Sequence, residues 1–108
     1  MTLEMNETEF RRQTKEYLKN YQHGLWWAEV QHIAGNYTTT KGLPDFSGLY
    51  EGVYVGIECK VGKGKLRPEQ IEFKGRVESC GGYYLTVYPN DFMDVIRACV
   101  QEILRGKK

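Results

Sequence analysis

The sequence predicts an α/β fold, a mixed central sheet with one β-hairpin and flanking helices, in the order α-β-β-β-α-β-α. Three observations predict it. Segments with helix-like apolar spacing open and close the chain, and extended runs rich in Val, Ile and Tyr lie between them. A third helical segment, opened by Pro68, separates the last two extended runs, which makes their pairing a parallel crossover, right-handed by default. At 108 residues, 41% hydrophobic and 27% charged, the chain is sized for one domain with one modest core, and its composition excludes the disordered and low-complexity classes.

The first helix is expected over residues 2–21, where Leu3, Phe10, Tyr17, Leu18 and Tyr21 recur at helical intervals with Arg and Lys on the opposite side. Gly24 ends it. Residues 25–33 mix two Trp, Val and Ile with polar side chains and read as a strand, and residues 34–44, with Gly35, Asn36, three Thr and Gly42, read as a loop long enough to serve binding. Between Asp45 and Lys60 two extended runs flank Glu51-Gly52, the chemistry of a tight hairpin turn. A two-residue turn pairs positions whose numbers sum to 103, placing Tyr50 with Val53, Gly48 with Val55 and Phe46 with Ile57 on the core side. The other side then carries Leu49 with Tyr54, Ser47 with Gly56 and Asp45 with Glu58, and Lys60 follows on that face. The second helix opens at Pro68 and closes at Gly81-Gly82, with Ile71, Phe73, Val77 and Cys80 as its inner side. Residues 83–88 form the last strand. Asn90 caps a final helix whose stripe is Phe92, Val95, Ile96, Cys99, Ile103 and Leu104.

The hairpin register carries the chemistry. Carboxylates at directly opposed sheet positions have Cβ atoms about 4.5–5.5 Å apart, a destabilising arrangement unless a cation neutralises them. Oxygen ligands from Asp45 and Glu58, with the main-chain carbonyl of Cys59, suit Mg²⁺ or Mn²⁺. Lys60 stands beside them to orient an attacking water and to offset charge developing on a phosphate. Together these residues form a site for phosphodiester hydrolysis.

Gly42-Leu43-Pro44-Asp45, followed by Glu58-Cys59-Lys60, Arg67-Pro68-Glu69-Gln70 and Gly81-Gly82, resembles the VRR-NUC branch of the PD-(D/E)XK nuclease superfamily, whose small stand-alone members are similar to Holliday junction resolvases. The resemblance spans most of the chain. It implies a restriction-endonuclease-like core in a single domain, residues 1–108, with Asp45 and Glu58 on the metal, Lys60 assisting the water and Gln70 reaching the site from the following helix. It also implies an acidic residue on the first helix, which falls on Glu7 or, as runner-up, Glu9. Arg67 stands where relatives often carry a helix-capping Thr or Ser. The implied activity is Mg²⁺- or Mn²⁺-dependent cleavage of DNA, preferentially branched, and because so small a domain presents little surface to a junction, a homodimer with two sites on opposed strands is expected. The alternatives are a non-catalytic nucleic-acid-binding module of this fold and a nuclease acting on linear or single-stranded DNA without junction preference.

Charge distribution locates the expected DNA footprint. Residues 1–58 carry a net −3 and residues 59–108 a net +4, and the excess clusters just after the acids, with Lys63, Lys65, Arg67 and Lys74 as DNA-binding candidates. A nucleotide cofactor is not expected, because Ile57 and Gly64 occupy positions where a phosphate-binding loop at Gly62-Lys63 requires Gly and Ser or Thr. Cys59, Cys80 and Cys99 fit neither a disulfide framework nor a zinc motif and read as packing, and His23 and His32 lack partners in sequence. No apolar run has membrane-spanning length and no signal-peptide pattern opens the chain, so no membrane partner and an intracellular location are expected.

Overall fold

The computed structural model describes residues 5–21, 26–30 and 41–106. Its elements follow the expected order: α1 (Glu7–Lys19), β1 (Trp26–Glu29), β2 (Phe46–Tyr50), β3 (Val53–Cys59), α2 (Pro68–Ser79), β4 (Tyr83–Val87) and α3 (Phe92–Gly106). The chain is therefore an α/β protein with a mixed four-stranded sheet and three helices. Strands run in the spatial order β1-β2-β3-β4, the first three antiparallel and β3 parallel to β4 across the α2 crossover. Leu3, His23, Gly24, His32 and the loop residues 34–40 lie outside the described residues, as do Leu25 and residues 31–33 of the expected first strand. Among the described residues, no helix is long and apolar enough to cross a membrane.

The hairpin register is the expected one, from Tyr50 opposite Val53 to Phe46 opposite Ile57. Glu51 and Gly52 both take positive φ, 50° and 78°, the conformation that lets a two-residue turn follow the right-handed twist of its strands. Strand alternation then sends Phe46, Tyr50, Val55, Ile57 and Cys59 to one face, where they meet Phe10 and Leu18 of α1 and Phe92, Ile96, Cys99, Val100 and Ile103 of α3. Phe10 and Tyr17 each meet the Phe92 ring edge to face, joining α1 to α3. Thr14 is also buried on α1, because its hydroxyl donates to the Phe10 carbonyl at 3.0 Å and stays satisfied. The opposite sheet face is covered by α2, with Phe73 against Tyr84.

Several packing expectations are corrected. Ile71 is 57% exposed and Cys80 is exposed, because the side of α2 turned to the sheet runs through Gln70, Phe73 and Val77, and Ile71 lies about a quarter turn away. Gln70 is the buried residue of that helix. On α3 the stripe passes through Val100 and leaves Leu104 48% exposed. Asn90 does not cap α3. Asp91 Oδ1 accepts from the Tyr88 N–H at 2.9 Å while the Phe92 N–H donates to the Tyr88 carbonyl at 3.0 Å, so the turn begins at Tyr88 with Pro89 in the first-turn position.

Candidate metal centre

Pro44 sets the geometry at the end of the hairpin. Two steps beyond the last β2–β3 pair, the register would place Pro44 opposite Cys59, and proline has no N–H for the ladder. Pro44 is instead fully buried over Gly56, where a Cβ would come within 2.9 Å of the proline ring, so glycine there makes room for it. The strand bends away, and the Cys59 N–H donates to Asp45 Oδ2 at 2.9 Å. The Asp45 N–H in turn donates to Glu58 Oε1 at 3.1 Å. Both carboxylates are buried.

Glu58 is held from a second direction. Arg67 cannot accept a hydrogen bond from the α2 N-terminus, and Gln70 supplies the cap: its Oε1 accepts from the Arg67 N–H at 2.8 Å. With its oxygen so fixed, the Gln70 amide must present its NH₂ outward, and Nε2 donates to Glu58 Oε2 at 2.9 Å. Lys60 Nζ lies 3.3 Å from the same oxygen with 11% of its side chain exposed. Burial, followed by the nearby Asp45 charge, pushes the Glu58 carboxyl up to about 7 against the opposing pull of Lys60 and Gln70.

The N-terminal turn of α1 completes the cluster. Glu7, exposed at the start of α1, brings a carboxylate oxygen within 4.8 Å of oxygens from Asp45 and Glu58. Glu9 points elsewhere and pairs with Arg12 at 2.6 Å. Arg11, one turn after Glu7, places Nη1 3.7 Å from Asp45 Oδ1. Glu7, Arg11, Asp45, Glu58, Lys60, Arg67 and Gln70 line one cleft of about 370 Å³.

The structure thus brings Glu7, Asp45, Glu58, Lys60 and Gln70 together, with Arg67 at the rim. Lys63 and Lys65 are exposed on the connection to α2, and Lys74 lies a turn beyond Gln70; none of these three lines the cleft. That connection is braced where the Tyr88 hydroxyl donates to the Gly64 carbonyl at 2.7 Å. The Cys59 side chain faces the core, 3.5 Å from the Thr14 hydroxyl, and burial pushes its thiol up to about 12. Only the main chain of Cys59 is turned toward Asp45. Arg11 is the cleft residue the sequence reading missed, and its signal was the four-residue spacing from Glu7, which stacks both on one helix face.

Chemically, the cleft offers an oxygen-only donor set from three elements, flanked by cations and by the N-terminal ends of α1 and α2, where helix dipoles favour anions. No protein-family model and no curated protein matches the chain.

Proposed function

We propose that the chain is a Mg²⁺- or Mn²⁺-dependent DNA endonuclease, a phosphodiester hydrolase of the VRR-NUC branch of the PD-(D/E)XK superfamily with a restriction-endonuclease-like core. The observation that carries this reading is the convergence of Glu7, Asp45 and Glu58 within 4.8 Å, with Lys60 and Gln70 both on Glu58. The donor set fits a hard divalent cation: carboxylate oxygens from three residues, with neither thiol nor imidazole in the cluster among the described residues. A Glu58 carboxyl pushed up to about 7, by burial first and by the nearby Asp45 charge second, is the kind of perturbed titration that clusters at functional sites.

A bound cation would supply Lewis acidity to the phosphate and lower the pKa of a coordinated water. The chain's own residues do the rest. Gln70 holds Glu58 in one orientation, its own amide fixed by the Arg67 N–H. Lys60 keeps a cation beside Glu58, positioned to orient the attacking water and to offset charge on the phosphate. Arg67 and the N-terminus of α2 favour an anionic group at the cleft mouth, and Lys63, Lys65 and Lys74 extend the basic surface along a nucleic-acid backbone. The preference for branched DNA rests on the resemblance to junction resolvases, and the twofold dimer on the small surface that a domain of 108 residues offers a junction.

The test is cleavage by the purified chain with Mg²⁺, with Mn²⁺ and with EDTA, on a four-way junction, a flap and plain duplex. Cutting is expected only with metal, and Asp45→Asn and Glu58→Gln are expected to abolish it while DNA binding persists. Undiminished cutting by either variant refutes the site. Binding without cutting under both metals would identify a non-catalytic nucleic-acid-binding module.

A further inference from the structure

We propose that Arg11 has two successive partners in the cleft: the acidic cluster in the metal-free protein, and a substrate phosphate once a divalent cation has taken that place. The inference rests on the metal-dependent reading above and concerns a residue that the nuclease resemblance does not single out.

The cations of α1 are sorted by position. Arg12 pairs with Glu9 at 2.6 Å on the exposed side, and Lys15, one turn after Arg11, pairs with Glu29 of β1 at 3.0 Å. Arg11 instead turns into the cleft, where Asp45 is 7% exposed and the Arg11 side chain 37%. Three carboxylates within 4.8 Å repel one another, and a guanidinium beside Asp45 offsets part of that repulsion. The contact is loose. At 3.7 Å it exceeds the roughly 2.7–2.9 Å of a charge-assisted hydrogen bond, so it is a Coulombic neighbour and not a locked fork.

A doubly charged ion among the same carboxylates would cancel most of their attraction for Arg11. The guanidinium sits on a long flexible stem at a partly exposed helix position, so its planar fork can turn toward the cleft mouth. Arg67 lines that cleft from the start of α2, and a phosphate entering there meets arginines from two helices. Bidentate donation to phosphate oxygens is the interaction to which guanidinium is best suited.

This assignment makes Arg11 a competitor of the metal and a helper of the substrate, which a merely structural residue is not. The experiment titrates Mn²⁺ calorimetrically into the full chain without DNA, for wild type, Arg11→Gln and Arg11→Lys, and then measures cleavage at saturating Mn²⁺. Arg11→Gln is expected to bind Mn²⁺ about three- to tenfold more tightly, through loss of a nearby like charge, and to cut at least about tenfold more slowly. Arg11→Lys keeps the charge and loses the fork, so its Mn²⁺ affinity stays near wild type while cutting is intermediate. Unchanged or weaker Mn²⁺ binding by Arg11→Gln overturns the proposal, as does full cutting by that variant. Should Arg11→Gln not fold, Arg11→Lys with wild-type cutting overturns it. Wild-type protein that binds no Mn²⁺ overturns the metal-dependent reading and this inference together, so the failure of each is read from a different sample.

Discussion

The main-chain N–H of Asp45 donates to Glu58 Oε1 at 3.1 Å, so the residue that contributes one buried acid also solvates the other. The favour is returned from the same strand as Glu58, where the Cys59 N–H donates to Asp45 Oδ2 at 2.9 Å. Two like charges are thereby held together by backbone dipoles, which cost no reorganisation when a cation arrives. Backbone donors alone do not compensate the charge, and Glu58, pushed up to about 7 by burial first and by Asp45 second, registers the deficit.

The deficit has a pH signature in the metal-free protein. Folded Glu58 keeps its proton until about pH 7, whereas an ordinary glutamate releases it near 4.5. The folded state therefore binds this proton more tightly than the unfolded one, so the contribution is fully present below pH 4.5 and is lost as pH rises through 7. Denaturant unfolding in EDTA is expected to show wild type losing on the order of 2 kcal/mol between pH 5 and pH 8 relative to Glu58→Gln, which cannot ionise. Parallel pH profiles for the two proteins would show that Glu58 ionises normally in the fold.

Gln70 links helix capping to the site, and its two ends can be separated by substitution. Gln70→Ala removes the acceptor for the Arg67 N–H and the donor to Glu58, at an expected cost of about 1–3 kcal/mol. Gln70→Glu keeps the acceptor and replaces the donor with a carboxylate facing Glu58. Its stability should therefore approach wild type at pH 5 and fall well below it at pH 8 in EDTA. Thermal melts at the two pH values decide this, and a Gln70→Glu protein matching wild type at pH 8 would mean that the amide does not point at Glu58.

Much of this arrangement is legible in the amino-acid order, and the reason is local. Glu51-Gly52 admits few turns, a two-residue turn admits one register, and that register brings Asp45 alongside Glu58. Helix surfaces are harder to read. Ile71 and Leu104 are apolar yet exposed, while Thr14 and Gln70 are polar yet buried, because each polar group has a local acceptor or a cap to satisfy. Hydropathy does not record that satisfaction. Arg11 escaped for a related reason: on a helix with four cations, the sequence alone does not say which one meets the acids, and only the packing of α1 against β3 decides it.

Two glycines with nearly the same backbone separate the demands of the turn from those of the site. Gly52 has φ +78° with nothing within 4 Å of an added Cβ, and Gly42 has φ +86° with the Glu69 carbonyl oxygen only 2.1 Å from where a Cβ would stand. Gly52→Ala is therefore expected to cost only the left-handed backbone penalty, about 1 kcal/mol, and to leave Mn²⁺ binding unchanged. Gly42→Ala adds a clash with the α2 main chain, which a rigid helix cannot relieve. The segment leading to Pro44 and Asp45 must move instead, so about 3 kcal/mol of stability and much of the Mn²⁺ affinity should be lost together. Urea midpoints and Mn²⁺ titrations on both variants test this. Equal losses for the two would mean that the close approach of Gly42 to α2 does not position Asp45, whereas loss of Mn²⁺ binding in Gly42→Ala alone ties that contact to the carboxylate cluster.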